Sequence, residues 1–330
     1  MKTFIHASQM VNMGDAAQST SVFFNQQLTL VMTRLFEIKY KQIKYRDNFR
    51  INNEGGAGIT AIQMTVWDMV GSAKIIGHYS DDLPSAQAGA SLVTIPVRWI
   101  GASFHFSWME LQQATQAGVP LSDRRAAACN RAIEVKLNNI AYGVDEEATD
   151  AGLFGLLNNP NIPESTVAVS VANPGGVAVA DRTRWENKTP QEILLDINNA
   201  FSTIEVATAG VHSANILSLP IKQYNFLATT QINDLNSDTL MTWLMTNSPW
   251  IASMDQIRAQ PELSEAGPNG EDVFFVYEDD PEIAEMHIPF EKDTPVGTLP
   301  DGIAYKTPML ASTAGLDVRY PLAYSKGLGI

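Results

Sequence analysis

Cysteine is nearly absent: Cys129 is the only one in 330 residues. No intrachain disulfide can form, and a lone cysteine on an apolar stripe reads as a small buried hydrophobe rather than a reactive thiol. Long apolar runs are also missing. No stretch approaches 18 uninterrupted apolar residues, so no transmembrane helix is expected. The opening MKTFIHASQMVNMGDA lacks the apolar core of a secretory signal, and the default compartment is cytoplasmic. Positive charge is scarce, with 22 Lys and Arg against 36 Asp and Glu and a net charge of −14. That balance argues against a general polyanion-binding surface while leaving room for a local basic patch. The sequence contains no H-E-x-x-H, C-x-x-C, G-x-S-x-G or G-x-x-x-x-G-K-[ST], so the common metal, redox, acyl-transfer and phosphate-loop signatures are absent. His6, His78, His105, His212 and His287 stand far apart and read as structural. The acidic pairs Asp81-Asp82, Glu146-Glu147 and Asp279-Asp280 read as solvated loop charge. We therefore expect no catalytic, cofactor-binding or metal residues.

What remains is an ordinary folding composition, 45% apolar and 18% charged, in a chain long enough for a sizeable core and two domains. The segment from Ser107 to Asn161 organises it. Ser107 and Glu110 have capping-box spacing, Gly118 can end the first helix, and Pro120 forbids its continuation. Ser122 or Asp123 can cap a second helix that Gly143 ends. Its apolar positions, Ala126, Cys129, Ile133, Leu137 and Ile140, form one stripe. At 1.5 Å per residue this helix runs roughly 30 Å.

Before it, residues 1–18 read as an arm, and a helical pattern starts at Ser19 with Phe24, Leu28, Val31 and Leu35. The basic run Lys39–Arg50 reads as a solvated strand or turn; a docking surface for an acidic neighbour and a nucleic-acid contact are the sharper alternatives. Glu54–Gly58 is a flexible break. Two alternating runs follow, Ile62, Met64 and Val66, then Val93, Ile95, Val97 and Trp99, with a tip between them rich in Gly, Ser, Asp and Ala. Pro96 makes the second an edge strand. Such a two-stranded ribbon is marginal in water by itself, yet its faces carry Ile, Met, Val and Trp that nothing adjacent in sequence covers. The economical expectation is that it lies on another subunit.

After the long helix, VAVSVA from Val167 predicts a short strand. Thr189-Pro190-Gln191-Glu192 predicts a strong helix start, with Ile193, Leu194, Ile197, Phe201 and Ile204 on its buried face and Gly210 closing the segment. ANILSLP predicts a buried strand. Pro220 opens a helix, Asp238 caps another, and WIASMDQIRA and DVFFVY predict strands. From Pro281, three strand-like runs close the sequence.

The order of Glu110, Gly118, Pro120-Leu121, a helix to Tyr142, then Gly152-Leu153-Phe154-Gly155-Leu156-Leu157-Asn158 resembles the Hong Kong 97-type major capsid proteins of tailed phages and the related encapsulin shells. The resemblance covers nearly the whole chain. It implies an α+β fold with an N-terminal arm and helix (1–50), an extended E-loop hairpin (51–105), a peripheral domain with its spine helix (106–188), an axial α/β domain (189–280) and strands returning to the peripheral domain (281–330). It implies a non-enzymatic subunit that self-assembles through pentamers and hexamers into an icosahedral shell around double-stranded DNA. Portal, scaffolding and decoration proteins are its implied partners, with a separate scaffold or none. The alternative within this class is an encapsulin-type nanocompartment holding an enzyme cargo. Some members crosslink an E-loop lysine to a neighbour's asparagine; Lys74 is the lysine at that place here, and it reads as an exposed solubilising residue. The competing class, an enzyme built on the segment from Thr189, would need a pocket of convergent polar groups.

Overall fold

The computed structural model describes residues 40–75, 84–117, 121–171, 179–233, 236–294 and 299–330. Ile43–Ile330 forms one unit, and residues 40–42 belong to the separate unit 1–42. The helix expected from Ser19, the Gly118–Pro120 corner and tip residues 76–83 lie outside the described residues.

The unit opens with a helical turn α1 (Tyr45–Asn48) and a short strand β1 (Ile51–Asn52). The ribbon strands are β2 (Ala61–Val70) and β3 (Gln87–Pro96). A third long strand, β4 (Arg98–Ser107), leads into α2 (Trp108–Ala117), the spine helix α3 (Leu121–Tyr142) and a short α4 (Glu146–Asp150). Next come β5 (Glu164–Thr166), α5 (Pro190–Ala207), β6 (Ile216–Leu219), α6 (Ile221–Thr229), β7 (Gln231–Asn233), β8 (Asn236–Thr239), α7 (Leu240–Asn247), β9 (Ile257–Ala259) and β10 (Val273–Tyr277). The tail holds β11 (Ala284–His287), β12 (Phe290–Asp293), β13 (Leu299–Asp301), β14 (Ala304–Thr313), β15 (Gly315–Val318) and β16 (Tyr324–Leu328).

The spine follows from its stripe. Cys129, Ile133, Leu137 and Ile140 are all buried, and burial raises the Cys129 thiol pKa, as suits a packing residue. Ser107 Oγ accepts the Met109 N–H and Glu110 accepts the Ser107 N–H, so the α2 start is capped reciprocally. The spine itself begins at Leu121, which puts Ser122 and Asp123 inside its first turn rather than at its cap. Gly143 ends it at φ +74°. Beside it the backbones approach too closely for a side chain. A methyl group on Gly155 would stand 2.2 Å from the Gly143 nitrogen and 2.3 Å from the Ile140 oxygen. Asn158 fastens this loop, accepting from the Gly155 N–H at 2.6 Å and donating to Thr149 Oγ at 2.6 Å.

Two cores divide the work. One packs the spine stripe against α1, β11, β14 and β15, with Ile100, Ala102 and Phe104 of β4 at its margin. The other packs α5, α6 and α7 on β6, β9 and β10. The α5 start is as the sequence predicts: Thr189 and Glu192 form a capping box, and Ile193, Leu194, Ile197, Phe201 and Ile204 are buried. A five-stranded sheet of order β5-β16-β10-β6-β9 runs between the cores, because alternate residues of β10 serve each: Phe275 and Tyr277 the first, Phe274 and Val276 the second.

Several expectations shift. The second ribbon strand stops at Pro96 rather than running through Trp99. Residues 98–107 instead pair along their whole length with β14, because alternate residues of β4 have the spine to pack on. VAVSVA is not a strand; the strand is Glu164–Thr166 just before it, and the Ser170 and Val171 N–H groups go to the Arg182 carbonyl and the Glu192 carboxylate. Thr239, not Asp238, caps α7 through the Thr242 N–H. In WIASMDQIRA only Ile257–Ala259 is extended, after a 3-10 turn at Met254–Gln256. Of the tail strands, β11, β14 and β15 pack in the spine core, whereas β16 joins the five-stranded sheet and adds Tyr324 to that core. Gly327 allows this: a Cβ there would lie 2.0 Å from the Phe274 ring.

The basic run is only partly solvated: Tyr40, Lys41, Arg46 and Arg50 are exposed, whereas other members turn inward. Tyr45 is fully buried, Lys44 donates to the Ala259 carbonyl at 2.9 Å, and Arg46 bridges Glu134 at 3.3 Å and Glu291 at 3.0 Å. Its acidic partners lie in its own chain. Likewise Asp279, expected as loop charge, holds Arg258 at 2.6 Å, and Glu147 with Asp145 holds Lys136.

Lys188 and Asp196 form an ion pair with both side chains buried. Burial pushes the Asp196 carboxyl up to about 6, above its unfolded value of about 3.9, so protonation favours the fold and stability rises as pH falls through that range. Replacing Lys188 by Met strands the carboxylate. The expected loss is about 3–5 kcal/mol at pH 8, partly recovered at pH 5, as read by urea unfolding at the two pH values. Gly155→Ala is expected to cost at least about 1–3 kcal/mol in the same assay, because backbone rather than a flexible side chain meets the new methyl.

Candidate assembly interface

The ribbon is a two-stranded sheet that no other described strand extends. Its register pairs Ala61 with Pro96 at the base and Val70 with Gln87 toward the tip. At ten residues a strand it spans roughly 33 Å. Residues directly opposite share a face. One face carries Ile62 with Ile95, Met64 with Val93, and Val66 with Ser91; the other carries Thr65 with Leu92, Trp67 with Ala90, and Met69 with Ala88. The large apolar residues therefore change face half-way along the ribbon. Ile62 and Met64 near the base are half-buried, whereas Trp67 is 64% exposed, Met69 82% and Leu92 61%.

Asp68 is the only charged residue in either strand. Soluble proteins blunt exposed edges with lysine, charge or short strands, and this ribbon uses almost none of those devices. A water-facing sheet that is apolar, long and uncharged is surface awaiting a partner. The sequence pattern marked Trp67, Met64 and Val66 but treated residues from Asp68 onward as tip. Alternation that continues to Met69, and backwards from Val93 to Leu92, was the available signal for the rest. Lys74 is exposed in the tip.

Beside the spine lies a cleft of about 410 Å3, lined by Trp99, Ile100 and Ala102 of β4, Ile133 and Ile140 of the spine, and Ala148 of α4. The Lys136–Glu147 ion pair stands at this cleft. Arg98, Lys136 and Glu147 line it as well, so the cleft combines apolar and charged surface.

The remaining candidates disperse. His287 is buried against Asp317 at 3.4 Å, and His212 faces Glu278 at 3.0 Å. His105 lies exposed on β4, while His6, His78 and Asp81-Asp82 are outside the described residues. Among the described residues no three His, Cys, Asp or Glu side chains converge to hold a metal ion, and no helix is long and apolar enough to cross a membrane.

The family model described as major capsid protein matches residues 71–330, from the ribbon tip to the last strand. The chain belongs to the major capsid protein family. No curated protein sequence matches it. Solved structures give the fold. The capsid of Myoviridae phage XM1 aligns with a TM-score of 0.75 at 20% identity, over 92% of this chain and 98% of that one. Mycobacterium phage Ogopogo aligns with a TM-score of 0.60 at 14% identity, over 94% and 98%. The virus-like particle from Pyrococcus furiosus aligns with a TM-score of 0.51 at 13% identity, over 85% and 90%. The capsid protein thus has the α+β, Hong Kong 97-type fold.

Because Trp67 and Met69 belong to neither core, the double substitution Trp67→Ser with Met69→Ser is expected to leave the unfolding free energy of the unassembled capsid protein within about 0.5 kcal/mol of wild type, as measured by chemical denaturation.

Proposed function

We propose that this capsid protein closes, through pentamers and hexamers, into an icosahedral shell around double-stranded DNA, and that it does so in the host cytoplasm. The observation that carries this reading is the uncovered ribbon: roughly 33 Å of two-stranded sheet with Trp67, Met69 and Leu92 in water. In this reading the ribbon lies on a neighbouring copy, and the cleft between β4, the spine and α4 offers a seat for its side chains. Such contacts are heterologous, one surface meeting a different one, so they close into rings. Each is modest, and many together make dissociation rare.

The role is structural rather than catalytic. We assign residues 106–188 with the returning strands β14 and β15 to the peripheral domain, and residues 189–280 with β16 to the axial domain that lines the ring centres. A net charge of −14 suits a wall that confines DNA without gripping it. Portal, scaffolding and decoration proteins complete the set of partners we expect.

Negative-stain electron microscopy after a sizing column tests this. Wild-type protein is expected to give closed shells, or rings of five and six. The Trp67→Ser, Met69→Ser variant is expected to remain as soluble subunits. Wild-type protein that never assembles, or a variant that assembles at wild-type yield, overturns the reading. Nucleic acid inside shells purified from infected cells supports the capsid; a protein cargo in its place supports the nanocompartment.

A further inference from the structure

The strand β4 has one side without a partner. Its ten residues pair one-for-one with β14, and among the described residues no strand pairs with its other side. Two observations set the phase of the ladder. Pro308, which has no N–H, stands opposite Ser103. One step beyond the end of β4, the Trp108 N–H donates to the Ile303 carbonyl at 3.1 Å. Antiparallel pairs alternate between bonded and non-bonded, so even-numbered residues of β4 bond β14, and odd-numbered ones turn their N–H and C=O groups away from it. The His105 carbonyl accordingly accepts from Arg125. Trp99, Gly101 and Ser103, all exposed, keep outward backbone groups with no strand to meet them.

An open edge of this kind is a template for another strand. The cleft beside the spine follows it: residues 98–102 line that cleft without a break, and Gly101 can contribute only backbone. The ten-residue strands among the described residues are β2, β3, β4 and β14. β14 has neighbours on both sides, whereas β4 and the two ribbon strands each have an open one. A second copy of the chain therefore supplies an edge of matching length. Charge selects between the two ribbon strands. Asp68 of β2 is the only charged residue in either. Arg98, exposed at the start of β4, donates to the Ala151 carbonyl at 3.1 Å. Among the described residues neither Asp68 nor Arg98 enters an ion pair.

We propose that β2 of a neighbouring copy adds edge-on to β4, its backbone bonding the outward groups of Trp99, Gly101 and Ser103 and its Asp68 pairing with Arg98. This rests on the assembly reading and gives the ribbon contact its chemistry, a backbone ladder with one ion pair in addition to apolar side chains.

Shell yield of the full-length protein, read by sizing column and negative-stain microscopy, tests the proposal, with urea unfolding of the subunits as the check on folding. Ser103→Pro removes one outward N–H and no bond to β14, the setting in which edge strands accept proline. It is expected to keep the unfolding midpoint and to lower shell yield roughly tenfold. Ser103→Ala, which keeps the N–H, is expected to lower it no more than about twofold. Asp68→Arg and Arg98→Asp each set like charges together and are each expected to lower yield roughly tenfold. Combined in one chain they restore the pair, and yield is expected to return to within about threefold of wild type. Ser103→Pro that folds and assembles as well as Ser103→Ala overturns the strand addition while leaving the assembly reading in place. So does a combined variant no better than the single ones, and this charge exchange decides alone if Ser103→Pro does not fold. Wild-type protein that never forms shells or rings overturns the assembly reading, and this proposal with it.

Discussion

The tightest approach of backbone on backbone at a glycine, among the described residues, is a meeting of three segments. The Ile140 carbonyl, the Gly143 amide and Gly155 approach with no room for a methyl group between them. This contact stops the spine helix and turns the following loop back along it. The Leu156 and Leu157 N–H groups then reach the Ala141 and Tyr142 carbonyls, satisfying acceptors that a helix end otherwise leaves open. The same loop presents the Phe154 carbonyl to the Leu316 N–H, which sets β15 against the spine. Gly315, at φ +80° with a Cβ position 2.7 Å from the Phe154 oxygen, repeats the requirement on the partner strand. The placing of the long helix, the loop and the tail strand thus depends on three glycines, Gly143, Gly155 and Gly315, and on Asn158 more than on any single apolar contact.

A second layer of order is electrostatic and runs inward. In an acidic chain each cation is a scarce partner, and the basic run uses its cations to dock α1 beneath the spine. Asn48 donates to the Tyr142 hydroxyl at 2.6 Å, and Phe49 meets the Tyr142 ring edge-on at 5.4 Å. Arg258 joins the Asn48 carbonyl, the Tyr277 hydroxyl and Asp279, linking the entry segment to the five-stranded sheet. These are partly buried pairs with several hydrogen bonds each, the circumstance in which ionic contacts contribute beyond the small value of exposed ones.

The elements legible in the sequence were those decided by nearby residues. The periodicity of the spine and of α5, the Thr189–Glu192 box, the Gly143 stop and the alternation of the first ribbon strand all depend on positions within a few residues of one another, and they are present in the structure. The misreadings have one physical origin. VAVSVA has strand composition, but a strand needs a partner edge, and its amides are taken by Arg182 and Glu192. Residues 98–107 looked like the end of a hairpin because the partner that claims them, β14, lies some two hundred positions away. The inward half of the basic run was hidden because its acids, Glu134, Asp279 and Glu291, lie 88 to 245 positions away. The ribbon was readable as an uncovered hairpin because its alternating Ile, Met, Val and Trp lie close together in sequence.

The near-absence of charge in the ribbon separates folding from assembly. Ribbon residues beyond Met64 contribute little to either core, so their apolar surface is carried as a cost in water by the free subunit. Seating one tryptophan on a neighbour contributes about 1.5–3 kcal/mol, less than the several kcal/mol lost in translational and rotational freedom when two chains associate. A pair of subunits held by one ribbon is therefore unstable. In the proposed shell every chain both gives and receives a ribbon contact only once its ring has closed, and closure adds a contact without a further loss of that freedom. The weakness of each ribbon contact is then what makes a partial ring short-lived and a closed ring persistent.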